Sequence, residues 1–153
     1  MITFVKGDLL DSDCDYICHQ VNCMGVMGAG IAKQIRERYP EVYNVYRNHC
    51  GVYSRSGASI LLGHIDIVPI NSKPGFHVIN MYSQKECGTG KRYTSYDAFN
   101  CALHYIRYMI PPYASIGFPK NIGCGLGGGN WNLIVGMIHE VLAKDRDVYI
   151  YEI

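Results

Sequence analysis

The chain has 153 residues, 48% of them hydrophobic, enough to fill the core of one ordinary domain without disulfides or metal. Its formal charge of +1 argues against a broad polyphosphate-binding surface, because nucleic-acid domains carry a clear basic excess. A small anionic ligand needs only local donors and stays open.

The opening "MITFVKGDLL" reads as a strand over 2–7, with Gly7-Asp8 as its exit, rather than as a secretory leader. "DYICHQV" (15–21) is a second apolar strand, followed by the loop 22–29. Ile31, Ile35 and Tyr39, at i, i+4 and i+8, predict a helix that Pro40 interrupts, and "EVYNVYRNHC" predicts a further short helix. "ASILLGHIDIVPI" (58–70) is expected to form two short strands around Gly63-His64 as a hairpin, and "FHVINMY" (76–82) another strand. The polar stretch "SQKECGTGKRYTSYD" (83–97) ends in Thr94-Ser95-Tyr96-Asp97, which has the form of a helix capping box with Asp in the Glu/Gln place.

The helix after it places Phe99, Ala102, Leu103, Ile106 and Ile110 on one face and ends at Pro111-Pro112. "ASIGFP" (114–119) is a strand, "KNIGCGLGGGNW" (120–131) a glycine-rich loop, and Ile134, Met137, Ile138, Val141 and Leu142 mark the last helix. "DVYIYEI" (147–153) closes as a strand. Strands alternating with helices define an α/β fold with a mainly parallel central sheet, expected as one domain over 1–153.

Seven cysteines, at 14, 18, 23, 50, 87, 101 and 124, contain no Cys-x-x-Cys pair, and no apolar run approaches ~20 residues. Free thiols in a reducing cytoplasm are the expectation, with no membrane association and no oligomer signature, hence a monomer. The grouping Cys14, Cys18, His19, Cys23 lacks the paired ligand spacing of structural zinc, so no metal and no cofactor are expected.

The two glycine loops carry the chemistry. "GVMGAGIAK" (25–33) and "KNIGCGLGGGNW" (120–131) each lie at a strand exit leading into a helix, where backbone N–H groups can close on a phosphate. Neither contains the lysine and hydroxyl residue of a nucleoside-triphosphate loop. The first gives Gly28-Ala29-Gly30-Ile31-Ala32-Lys33, with lysine where a dinucleotide fingerprint needs its third glycine, and no acidic strand end follows about 20 residues on. Two facing loops of amides suit a diphosphate held mostly by backbone. Glycines in strand–helix connections also make plain tight turns, so that reading stays beside it.

With these residues in view, the chain resembles macro domains, modules that bind ADP-ribose. "FVKGDLL" (4–10), "ICHQVNCMGVMGAGIA" (17–32), "FPKNIGCGLGGGNW" (118–131) and the terminal "VYIYEI" carry the resemblance over essentially the whole chain. The branch resembled holds terminal ADP-ribose glutamate hydrolases and the yeast-type ADP-ribose-1″-phosphate phosphatase. The resemblance implies a three-layer α/β/α sandwich with a mixed sheet. It implies that Asp8 accepts from the adenine amino group, Leu9 adds a backbone donor and Tyr151 packs on the adenine ring. It gives Asn22 to the distal ribose, Gly28, Gly30 and Ile31 to the first phosphate loop, and Gly123, Cys124, Gly125, Leu126 and Gly127 to the second. Cys124 acts there through its backbone.

For chemistry the resemblance thins. The lysine of the glutamate-specific hydrolases falls in frame at Gln84, with Lys85 one residue later, and their aspartate falls at Gly127. An amide cannot form the covalent intermediate that a lysine forms. His19 stands three residues before Asn22, where the yeast-type phosphatase also has histidine, so His19 and Asn22 are the catalytic candidates, with a histidine simply packed in the sheet as the other reading of His19. Lys91 and Arg92 lie where they could pair with a terminal phosphate, with a solvated loop face as the other reading. The expected ligand is ADP-ribose or ADP-ribose-1″-phosphate. The expected function is ADP-ribose recognition with phosphatase chemistry, a purely binding module, or a hydrolase removing ADP-ribose from protein or nucleic acid.

Overall fold

A computed structural model describes residues 1–53, 60–88 and 90–153. Six strands form one sheet: β1 (Ile2–Lys6), β2 (Tyr16–Val21), β3 (Ile65–Pro69), β4 (His77–Tyr82), β5 (Ile116–Pro119) and β6 (Val148–Glu152). Their order across the sheet is β1-β6-β5-β2-β4-β3. All neighbours run parallel except β3, which pairs antiparallel with β4, so the sheet is mixed and mainly parallel.

Parallel strands require crossovers, and four helices provide them: α1 (Gly30–Arg38), α2 (Pro40–Tyr53), α3 (Tyr96–Met109) and α4 (Trp131–Ile138). Side chains alternate along the strands and so build two cores. Ile17, Val21, Val78 and Tyr82 pack with Ile35, Val42 and Tyr46 of α1 and α2 on one face. Cys18, Ile79, Met81 and Phe118 pack with Phe99, Leu103, Ile106, Ile134 and Ile138 of α3 and α4 on the other. The result is the expected three-layer sandwich. No helix among the described residues is long and apolar enough to cross a membrane.

Three local expectations are corrected. The stretch 58–70 is not a hairpin: residues 60–63 form a turn, only Ile65–Pro69 is a strand, and that strand pairs with the following β4. Residues 58 and 59 lie outside the described residues. The apolar Leu61 and Leu62 belong to this turn, and Leu61 is buried. At α3 the N-cap is Ser95, whose Oγ accepts from Ala98 N, and not Thr94, whose hydroxyl bonds elsewhere. After α4 the chain widens into a π-helical turn over His139–Ala143, which keeps Val141 and Leu142 buried.

Candidate functional site

The carboxyl ends of β1, β2, β5 and β6 open on one side of the sheet, and the loops leaving them carry the two glycine-rich segments. The first loop is built around Asn22 and Tyr46. Tyr46 is fully buried on α2, and its hydroxyl accepts from Gly25 N at 3.1 Å and Val26 N at 3.0 Å while donating to Asn22 Oδ1 at 2.6 Å. Asn22 Oδ1 also accepts from Met24 N, and Asn22 Nδ2 donates to Val26 O at 2.8 Å. This cage delivers the chain to the start of α1, where Gly30 has φ +57. The N-cap of α1, Ala29, has no capping side chain, so the first-turn amides of Gly30, Ile31 and Ala32 are left without intrahelical acceptors. They form a partial positive pole suited to an anion.

The second loop follows β5. Its carbonyls are tied from behind: Gly123 O accepts from Thr94 Oγ1 (2.7 Å) and Gly129 N (2.8 Å), and Gly127 O from Tyr93 N (2.7 Å) and Thr94 N (3.0 Å). Among the described residues the N–H groups of Gly125, Leu126 and Gly127 meet no protein acceptor. A Cβ on Gly127 would stand 2.5 Å from Thr94 Oγ1, whereas one on Gly125 would meet nothing within 4 Å. Gly127 therefore lies flat against its support while Gly125 faces open space.

The two loops converge. A cavity of about 380 Å³ has Ala29, Gly30, Ile31 and Ala32 on one wall and Gly123, Gly125, Leu126 and Gly127 on the other. A second lobe of about 320 Å³ shares Gln20, Ala29, Ala32, Gln84 and Leu126 with it and extends to Asn22, Val26, Cys87 and Gly88. Backbone donors thus face each other across one cleft, an arrangement for a diphosphate.

The side chains expected at the site are placed as follows. Asp8 caps the short 3-10 turn Leu9–Asp11, its Oδ1 accepting from Leu10 N at 2.9 Å. The N–H of Leu9 has no protein acceptor among the described residues. Tyr151, on β6, is half-buried beside Cys14 and Ser12 at the same end of the sheet. Gly28 lines the inner lobe. Cys124 donates to Ile122 O at 3.3 Å, packs against the α3/α4 core and lines neither lobe, and burial pushes its thiol up, so it remains protonated.

His19 is placed in the sheet. It lies within β2, fully buried, on the same face as Ile17 and Val21, and lines neither lobe of the cleft. Its Nε2 meets Asn80 Oδ1 at 2.5 Å, and its Nδ1 has no partner. Burial lowers its pKa from 6.5 to about 4, against the opposing influence of Asn80 and Asp66. Asn80 Nδ2 passes the chain of bonds to Asp66, which also takes Tyr82 Oη at 2.6 Å and His49 Nδ1 at 2.8 Å. This is a polar seam that runs through the core from His19 to the part-exposed His49.

Asn22 lines the inner lobe, yet its carbonyl is saturated by the loop, leaving one Nδ2 hydrogen for a ligand. Lys91 and Arg92 sit over the rings of Tyr93 and Tyr96, at 4.9 and 4.4 Å. Gln84 does enter the cleft, while Lys85 turns to the first loop, its carbonyl accepting from Cys23 N. Sequence reasoning missed Gln20, Ser83, Thr94 and Tyr46. A polar residue at the end of an apolar strand, as in "HQVN", is the only signal that pointed at Gln20.

Among family models, none matches the chain. The DNA ADP-ribosyl glycohydrolase of Mycobacterium tuberculosis is 34% identical over 155 residues, covering 99% of this chain and 42% of that protein. The ADP-ribose 1″-phosphate phosphatase of Aspergillus oryzae is 43% identical over 53 residues, covering 34% of this chain and 26% of that one. The chain therefore spans less than half the length of these curated relatives. Among solved structures, the macrodomain of Mycobacterium tuberculosis DarG superposes with a TM-score of 0.78 at 29% identity, over 100% of this chain and 98% of that one.

The mixed, mainly parallel sheet between two helical layers, with a cleft beyond the strand carboxyl ends, defines a three-layer α/β/α class. Within it, the chain belongs to the macro domain family.

Proposed function

We propose that this domain binds ADP-ribose as a single copy of the chain. The observation that carries the reading is the pair of opposed amide walls: the uncapped start of α1 on one side and the free N–H groups of 125–127 on the other. A diphosphate between them completes both sets of donors; the lysine in the lining, Lys120, is ion-paired with Glu152. Asp8 and Tyr151, at the ends of β1 and β6, are the partners we assign to the adenine, and Leu9 N–H is an added donor there. The distal ribose then occupies the inner lobe beside Asn22 and Gln84. Calorimetric titration with ADP-ribose tests the reading; no heat and no shift in melting temperature would refute it.

Hydrolysis is the second reading, supported by relatives named for it: one acts on DNA-linked ADP-ribose and another on ADP-ribose 1″-phosphate. Against fast turnover stands the chemistry of the inner lobe, whose polar side chains are the amides of Gln20, Asn22 and Gln84 and the thiol of Cys87. Among the described residues no carboxylate or imidazole lines either lobe. Release of phosphate from ADP-ribose-1″-phosphate, or of ADP-ribose from modified DNA or glutamate-modified protein, separates a hydrolase from a binding module. We place the domain in a reducing compartment, consistent with seven free cysteines.

A further inference from the structure

Thr94 is almost completely buried, at 2% exposure, and lines neither lobe of the cleft, yet it touches the second glycine loop at both ends. Its N–H holds Gly127 O and its hydroxyl holds Gly123 O. The direction of the second bond is fixed by neighbours. Gln20 Nε2, which can only donate, points at Thr94 Oγ1 from 2.9 Å, so the threonine proton must go to Gly123 O. The amide of Gln20 is oriented in turn by Ser83, whose hydroxyl donates to Gln20 Oε1 at 2.7 Å, and by Gln84 Oε1, which takes the other Nε2 hydrogen at 2.6 Å. The bonds therefore run one way, from Ser83 to Gln20 to Thr94 to Gly123.

We infer that Thr94, directed by Gln20 and Ser83, is a positioning residue that fixes the second glycine loop in its diphosphate-binding shape. The inference rests on the ADP-ribose reading for its functional consequence. Tethering both Gly123 and Gly127 brackets the three unpartnered amides between them. The other bonds on this loop, with five glycines in seven residues (123–129), run backbone to backbone from Tyr93 N, Cys124 N, Gly128 N and Gly129 N, so among the described residues the Thr94 hydroxyl is the side-chain tie that fixes those donors from outside the loop. Through Gln20 the same relay reaches Gln84 in the cleft wall, so it links the phosphate loop to the ribose lobe.

Thr94→Val keeps the shape and removes the hydroxyl; Thr94→Ser keeps the hydroxyl. Thr94→Val is expected to weaken ADP-ribose about tenfold, the scale of one misplaced buried hydrogen bond, with adenosine binding unchanged and Thr94→Ser restoring ADP-ribose affinity. Amide hydrogen exchange of the ligand-free proteins, read at Gly125–Gly127, is expected to speed in Thr94→Val alone. Should Thr94→Val fail to fold, Ser83→Ala, which frees only the head of the relay, is expected to give the same pattern more weakly. Equal ADP-ribose affinity in Thr94→Val, or equal loss for adenosine, overturns the inference. If wild type itself fails to bind ADP-ribose, the functional reading falls, and unchanged exchange in Thr94→Val still overturns the tether separately.

Discussion

Replacing His19 by glutamine should flatten the acid side of the stability profile. In the unfolded chain this imidazole titrates near 6.5; in the fold, burial lowers it to about 4. At pH 7 it is neutral in both states. As the pH falls through 6.5 the unfolded state takes up a proton that the native state refuses until about pH 4, so unfolding is drawn forward. The stability tied to the neutral form is thus intact above 6.5 and lost progressively down to 4. At about 1.4 kcal/mol per tenfold, this single group removes roughly 2.5 kcal/mol between pH 7 and pH 4.5. Glutamine cannot titrate, and its amide can still donate to Asn80 Oδ1. Urea unfolding of both proteins at the two pH values is the assay. Wild type should lose about 2–3 kcal/mol more than His19→Gln over that interval. Equal losses would refute the placement of His19 as a fully buried neutral group and reopen a role for it at the ligand.

Three further outcomes are expected. Asp8→Asn keeps an oxygen for Leu10 N but turns an amide donor toward the adenine amino group; ADP-ribose should bind about 1–3 kcal/mol more weakly by calorimetry, with the melting temperature unmoved. Gly125→Glu, placed where a side chain meets open space, should fold like wild type and abolish binding by filling the cleft with like charge; retained binding removes that loop from the site. Tyr46→Phe withdraws the acceptor of Gly25 N and Val26 N and the donor to Asn22, and should cost about 1–3 kcal/mol of stability in chemical unfolding.

What could be read from the residues was whatever depends on near neighbours. The apolar spacing of Phe99, Ala102, Leu103 and Ile106 placed α3, and the glycine clusters placed both loops at strand exits, because period and turn chemistry are local. What escaped depends on contacts distant in the chain. Leu61 and Leu62 looked like strand residues; the turn they occupy lies against α3, where Gly63 comes within 3.3 Å of the Cys101 Cβ if given a Cβ of its own. The hydroxyl of Thr94 suited a helix cap by local pattern, but the carbonyl of Gly123, 29 positions away, claimed it. His19 has a sequence neighbourhood that fits a ligand site; strand alternation turns it inward, beneath α1 and α2, while Gln20 beside it faces the cleft.

The most direct test is a calorimetric comparison of ADP-ribose with AMP on the wild-type protein. Walls of amides on both sides of one cleft require two phosphates to satisfy them, so ADP-ribose should bind at least about tenfold more tightly than AMP, and Gly125→Glu should erase the difference. Equal affinity for the two, or silence with both, would contradict a diphosphate held between α1 and the second glycine loop.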